Sequence, residues 1–125
     1  MIETLNKISY DIIGCSYKVH SKLGPGLLES TYSICLAHEL SKLNYKFEME
    51  KSLPVCYDGI RLDAGYRIDL LVENLIIVEL KSVEAILEVH KAQVLTYMKL
   101  ADKKLGLLIN FNVTDLKKGI SRFIL

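Results

Sequence analysis

Three charged side chains interrupt the most apolar part of the sequence. Asp69 and Glu79 each lie within a run of Leu, Ile and Val residues, and Lys81, two residues later, shares the face of Glu79 on a strand. Burying a charge in such a run is costly unless the charge is paired or bound to a metal ion. Two interpretations follow. Either Lys81 neutralises a carboxylate at the frayed end of a sheet, or the carboxylates form a metal site with an ammonium group beside it.

The two carboxylates meet only if the strands that carry them have the right register. Side chains alternate across a strand, so the parity of the connection decides whether Asp69 and Glu79 face the same side. A three-residue connection, residues 73–75, pairs Val72 with Ile76 and therefore Asp69 with Glu79. A two-residue turn would place them on opposite faces.

Hydrophobic periodicity predicts an α/β fold with the element order α-α-β-β-β-α-β. Gly24-Pro25-Gly26 separates the first two helices, and Asp58-Gly59 is a strong turn signal. The predicted helices span residues 2–23, 27–43 and 84–101, and the predicted strands span 45–57, 60–72, 75–81 and 105–111. Residues 115–125 are predicted to form a short helical turn and a last edge strand.

Two of the predicted helices turn polar residues toward the sheet. Gln93 and Tyr97 are four apart on the inward face of the third helix, and a Gln there needs hydrogen-bond partners. Glu29 shares the inward face of the second helix with Tyr32. For Gln93 the alternatives are a core Gln with satisfied hydrogen bonds or a helix end that is less buried. For Glu29 the alternative is a first-turn acid that complements the helix dipole.

Composition limits the classes of protein to consider. The chain has 125 residues, enough for one domain with its own core, and a net charge of +1, which gives no bulk electrostatic reason to expect nucleic acid or a membrane surface. Cys15, Cys35 and Cys56 are widely spaced and suit reduced thiols in the cytoplasm. Cys35 and His38 have no second pair to complete a zinc site. No signal peptide and no membrane-spanning run is expected.

Three motifs in this sequence resemble those of a known family. Asp69 followed by Glu79-Leu80-Lys81 is similar to the signature of the PD-(D/E)xK nuclease superfamily, although Ile68 stands where the proline would be. Gln93 to Tyr97 is similar to the Q-x-x-x-Y motif of its RecB-like branch. Gly26 to Tyr32 matches the G-x-x-E-x-x-Y motif that names a small bacterial and archaeal family within the superfamily. The resemblance covers residues 12–125 and implies a restriction-endonuclease-like core, α-β-β-β-α-β, after an additional N-terminal helix.

The resemblance implies a metal-dependent nuclease that hydrolyses phosphodiester bonds in DNA or RNA. Oxygen ligands suit Mg²⁺ or Mn²⁺. Asp69 and Glu79 would hold the metal with the backbone carbonyl of Leu80, and Glu29 would complete the acidic cluster.

The remaining motif residues would assist the reaction. Lys81 would orient or deprotonate the water, or stabilise charge on the phosphate, and Gln93 and Tyr97 would position these groups. Nucleic acid would be contacted by four further residues, His20, His90, Lys103 and Lys104. For His20 the alternative is a helix C-terminal His that favours the dipole.

A near-zero net charge favours a second hypothesis. Lys103, Lys104 and the basic residues of the C-terminal segment would make only a local patch, so the affinity for nucleic acid is expected to be modest and salt-sensitive. The alternative is a non-cleaving module on a nuclease fold that binds nucleic acid or a partner protein. A homodimer or a larger complex stays open.

Overall fold

A computed structural model describes all 125 residues and contains three α-helices, a five-stranded sheet and a separate two-stranded ribbon. No helix combines the length and the apolar composition needed to cross a membrane. The helices are α1 (Ile2–Leu23), α2 (Glu29–Lys42) and α3 (Glu88–Ala101). The strands are β1 (Phe47–Ser52), β2 (Val55–Tyr57), β3 (Ile60–Leu62), β4 (Arg67–Val72), β5 (Ile76–Lys81), β6 (Leu105–Asn110) and β7 (Ile120–Ile124), with a 3₁₀ turn at Leu116–Gly119.

The five-stranded sheet is mixed and has the order β1-β4-β5-β6-β7. Strands β5 and β6 are parallel, and α3 makes the crossover between them, as a parallel pair requires. The other neighbours are antiparallel. This mixed sheet, flanked by helices, confirms the predicted α/β fold class.

Two of the predicted strands are shorter than expected. The strand predicted over residues 45–57 divides at Leu53-Pro54, and the one predicted over 60–72 divides between β3 and β4. Proline has no N–H for a ladder, so the chain leaves the main sheet there and β2 and β3 form their own hairpin. The predicted turn at its tip is confirmed, because Asp58 and Gly59 both have positive φ, 50° and 79°.

The starts of two helices also differ from the prediction. The second helix begins at Glu29 and not at residue 27, and the third begins at Glu88 and not at residue 84. In α3 the Leu87 N–H donates 2.9 Å to His90 Nδ1, which satisfies one amide at the true start of the helix.

Helices cover both faces of the sheet. Ile76, Val78 and Leu80 of β5 pack against α1 and α2, whereas the alternate residue Ile77 packs against α3. At Gly106 on β6, an added Cβ would lie 2.7 Å from Met98 Sδ and 2.9 Å from Val94 Cγ1 on α3, so glycine permits this close helix–sheet contact. The acids of interest therefore lie in a sheet buried between two helical layers.

Candidate functional site

The hairpin of β4 and β5 opens at the end remote from its turn. Its ladder pairs Val72 with Ile76 and continues to Leu70 with Val78, which confirms the three-residue connection and its register. The next pair in that register is Asp69 with Glu79, and there the ladder stops. The strands diverge at this point, so the backbone amides at the fork need other partners.

The two carboxylates supply those partners. The Asp69 N–H donates 2.8 Å to Glu79 Oε2, and the Leu80 N–H donates 2.9 Å to Asp69 Oδ2. Each acid thus accepts an amide from the opposite strand in place of a ladder bond. The register predicted from the sequence brings Asp69 and Glu79 together. Their side chains take the place of the backbone acceptors where the ladder stops.

Burial sets the protonation of this pair. It raises the pKa of Glu79 to about 8, with the charge of Asp69 as the second cause, while the charge of Lys81 lowers it. Burial also raises the pKa of Asp69, against the Leu80 N–H that favours the ionised form. Two carboxylates this close resist carrying two negative charges, so the pair holds a proton well above the usual carboxyl range.

Lys81 is half-buried at the end of β5 and makes no ion pair with either carboxylate. Its backbone carbonyl accepts 2.9 Å from the Phe111 N–H, which keeps it in the sheet. The structure does not contain the direct ion pair that a purely neutralising Lys81 would make.

A cleft of about 230 Å³ opens beside Asp69 on the α2 side, lined by Glu29, Ser30, Ser33, Glu50, Asp69 and Leu80. Glu29 is the first residue of α2 and is exposed, and its charge contributes to the raised pKa of Asp69. Glu29 and Asp69 therefore line the same cleft. The position of Glu29 in the first helical turn also complements the helix dipole.

Glu50 lies in the same cleft and was not expected from the sequence. In the register of β1 with β4 it falls opposite Asp69, yet this pair is missing from the ladder and Glu50 has φ 52°. A non-glycine residue in the left-handed region is uncommon and costs about 1–2 kcal/mol. Its charge raises the pKa of Asp69 more than that of Glu29 does. No sequence signal separates Glu50 from the nearby surface residue Glu48.

Gln93 and Tyr97 approach the fork from the other face of the sheet. The Gln93 Nε2–H donates 3.3 Å to the Tyr97 hydroxyl, and Tyr66 packs edge-on against Tyr97 with ring centroids 6.3 Å apart. Burial raises the pKa of Tyr97, and the charge of Glu79 adds to it. Gln93 is therefore a partner of Tyr97 near Glu79. It does not line the cleft that contains Glu29.

The two candidate histidines have local structural partners. His20 Nε2 donates 2.7 Å to the Val113 carbonyl, and His90 Nδ1 accepts the Leu87 N–H at the start of α3. Neither lines the cleft beside Asp69.

The two candidate lysines lie at the far end of the sheet. Lys103 Nζ donates 3.2 Å to Asn74 Oδ1 in the β4–β5 turn, and Lys104 directly precedes β6. Strand β6 begins beside Ile76 and reaches Lys81 only five residues later, which is about 16 Å along a strand. These lysines are thus not neighbours of the acidic pair.

The donor chemistry of the site fits a hard divalent cation. No three acidic, His or Cys side chains are already gathered around one point as metal ligands. Asp69 and Glu79 each use one carboxylate oxygen for a backbone amide, and no unpartnered side-chain oxygen is sealed from solvent. Asp69 lines the open cleft, and Glu79 lies beside it at the fork. The repulsion that raises both pKa values is what a cation would relieve, and oxygen donors suit Mg²⁺ and Mn²⁺.

Comparison with known proteins gives one match. A family model described as the PD-(D/E)XK nuclease superfamily matches residues 6–123. No curated protein and no solved structure shows a significant match. The matched segment includes the whole sheet up to Phe123, both helical layers and the open fork of β4 and β5. The chain belongs to the PD-(D/E)XK nuclease superfamily.

Proposed function

We propose that the protein is a divalent-metal-dependent nuclease that hydrolyses phosphodiester bonds in DNA or RNA. Superfamily membership indicates a nuclease-like function and a nucleic-acid substrate. The observation that carries the proposal is the Asp69–Glu79 pair, which lies at the fork of the hairpin with Asp69 lining an open cleft.

Members of the superfamily generally use divalent metal ions, and here Mg²⁺ or Mn²⁺ is proposed. Asp69 and Glu79 would hold the ion, with the Leu80 carbonyl and Glu29 as further ligands. When bound, such an ion supplies positive charge where negative charge develops on the phosphate. The cleft beside Asp69 is open, which leaves room for a phosphate next to these residues.

The proposed role of Lys81 is to act on the reacting groups. Lys81 is half-buried and has no carboxylate partner, so the three donors of its ammonium group are available to a water or to a phosphate oxygen. Gln93 and Tyr97, joined by a hydrogen bond on the other side of Glu79, would orient Lys81 or the water.

We also propose the finer assignments. The G-x-x-E-x-x-Y motif at residues 26–32 and the Q-x-x-x-Y motif at residues 93–97 support membership of the prokaryotic GxxExxY family in the RecB-like branch, with one domain over residues 1–125. Three free cysteines support a reducing, cytoplasmic location. A homodimer or a larger complex is compatible with these assignments.

A second candidate function is a non-cleaving module that binds nucleic acid or a partner protein. The observation that favours it is the distance of Lys103 and Lys104 from the acidic pair, which leaves little positive charge to bind a substrate near the cleft.

The test is incubation with labelled single-stranded and double-stranded DNA and RNA in the presence of Mg²⁺, Mn²⁺ or EDTA. Cleavage of any substrate that requires a divalent metal and disappears in Asp69→Asn supports the nuclease. Binding without cleavage under every metal condition supports the second function. Cleavage that persists in EDTA would contradict a metal-dependent mechanism.

A further inference from the structure

A short hydrogen bond joins the two layers that supply the proposed site. Glu29 comes from the helical layer, whereas Lys81 comes from the sheet. Ser82, which follows Lys81, donates from Oγ to the Leu27 carbonyl at 2.6 Å, and Leu27 lies two residues before Glu29. This contact spans 55 residues of sequence. It is therefore a direct tie between the segments that carry Lys81 and Glu29.

The sheet side of this tie is held in place on both sides of Ser82. The Lys81 carbonyl accepts from the Phe111 N–H, and the Asn110 side chain accepts 3.1 Å from the Val83 N–H and donates 2.9 Å to the Val83 carbonyl. Asn110 is only 2% exposed. A buried amide with satisfied partners is a rigid anchor, so Ser82 has little freedom to move.

The helix side is held by Tyr32. Its hydroxyl donates 2.6 Å to the Gly24 carbonyl and accepts 3.1 Å from the Leu27 N–H. Its ring is fully buried and stacks on Phe111 at 4.4 Å between centroids. Tyr32 thus connects the loop before Glu29 to the end of β6, the same region that anchors Ser82.

The start of α2 needs this external support. Its N-cap is Leu28, which makes no side-chain capping bond, whereas helices usually begin with Ser, Thr, Asp or Asn. Leu28 is also 74% exposed, so packing does not hold it either. The bonds made to Leu27 therefore add support to the loop that leads into Glu29.

We propose that Ser82 and Tyr32 are positioning residues that set Glu29 relative to Asp69 and Lys81. In this proposal neither residue contacts the substrate or the metal. They act through the loop of residues 24–28. Tyr32 accepts a hydrogen bond from the Leu27 N–H, and Ser82 donates one to the Leu27 carbonyl. This inference rests on the proposed function, because Glu29 is positioned for the metal that the nuclease would use.

The first test uses Ser82→Ala beside two matched variants. Ser82→Thr keeps the hydroxyl, and Ser21→Ala removes a similar serine bond, 3.0 Å to the Lys18 carbonyl, on the exposed surface of the last turn of α1. Ser82→Ala should raise the half-saturating Mg²⁺ concentration about tenfold, as loss of an outer partner of a ligand does. The rate at saturating Mg²⁺ should largely recover. Ser82→Thr and Ser21→Ala should titrate like wild type.

A second readout does not depend on cleavage. The Mg²⁺ concentration that raises the melting temperature should shift upward in Ser82→Ala and in Tyr32→Phe, which keeps the stacked ring. Both residues act through one loop, so the Mg²⁺ concentration required by the double variant should exceed that of the more strongly affected single variant by no more than about twofold. If the two residues acted independently, the two fold-changes would multiply.

The outcomes separate the two proposals. If the wild type neither cuts nor responds to Mg²⁺, the proposed function fails and the positioning role fails with it. If the wild type does both while Ser82→Ala titrates like Ser21→Ala, only the positioning role is overturned. The positioning role is also overturned if Ser82→Thr behaves like Ser82→Ala, or if the effects of Ser82→Ala and Tyr32→Phe multiply.

Discussion

The backbone amide of Asp69 donates to the carboxylate of Glu79 where the ladder between their strands stops. The reciprocal bond, from the Leu80 amide to Asp69, makes the two acids part of the backbone framework of the fork. Both side chains therefore contribute to local structure, and Asp69 also lines the cleft. Variants that change only charge, such as Asn and Gln, are the appropriate probes.

Without metal, the stability of the protein should fall as pH rises from about 4.5 toward about 8. Burial raises the pKa of Glu79 above its ordinary value of 4.5 to about 8. The folded state then holds a proton that the unfolded state has lost, so raising the pH favours unfolding until Glu79 ionises in both states. Melting curves in EDTA over this range should show a fall of roughly 5 °C or more.

Glu79→Gln should flatten that pH dependence. Glu48→Gln, at an exposed position paired with Lys51, is the control and should keep it. The pKa of Asp11 is lowered, mainly by its hydrogen bond with Lys7, so the contribution of Asp11 to stability is lost as the pH falls. This contribution is the same in all the variants compared. A wild-type curve parallel to that of Glu79→Gln would mean that Glu79 is ionised throughout.

Divalent metal should stabilise the protein, and more strongly at high pH. A ligand that binds only the folded state adds about 2.7 kcal/mol at a concentration 100 times its Kd. Protonated carboxylates do not ligate, so the effect should grow as the acidic pair loses its proton. The check is the melting temperature as a function of Mg²⁺ or Mn²⁺ concentration, measured at about pH 6, where the pair holds its proton, and at about pH 8, where it begins to lose it. An equal response in the Asp69→Asn, Glu79→Gln double variant would place the bound ions elsewhere.

Substitution of Lys81 should separate cleavage from metal binding. Lys81→Ala removes a donor to the reacting groups and should lower the cleavage rate roughly a hundredfold or more, with the metal-induced stabilisation retained. Asp69→Ala should remove both, because it deletes a ligand. Rates, melts and metal titrations on the same preparations make the comparison. Wild-type cleavage by Lys81→Ala would leave the lysine with a structural role only.

Gln93 and Tyr97 should act as one unit. Gln93→Ala and Tyr97→Phe each break their 3.3 Å hydrogen bond, so each should lower cleavage by about tenfold and the double variant by little more. Thr96→Ala, on the exposed face of the same helix, is the control. Multiplicative losses in the double variant would show that the two residues work independently.

Glu50→Gly should be better tolerated than Glu48→Gly. Both add the same flexibility to the unfolded chain, but only residue 50 has a positive φ, which glycine adopts without strain. In thermal melts, the free energy of unfolding of Glu50→Gly should be about 1–2 kcal/mol higher than that of Glu48→Gly. Equal destabilisation by the two substitutions would mean that residue 50 is not strained in solution.

The sequence by itself determined the features that depend on neighbouring residues. The three-residue connection decided the pairing of Val72 with Ile76, because the alternation of side chains makes register a matter of parity. Helical spacing likewise placed Gln93 beside Tyr97, because residues four apart share a face. The opposition of Asp69 and Glu79 at the site was predictable for the same reason.

Only the tertiary structure decided how separate elements meet. It placed α2 and α3 on opposite faces of the sheet, so Glu29 and Gln93 reach the fork from two sides, and no periodicity within either helix carries that information. It put Glu50 opposite Asp69 through pairing with β1, and Ser82 against Leu27. These contacts join segments far apart in the chain, and they form because burying both faces of the sheet brings those segments together.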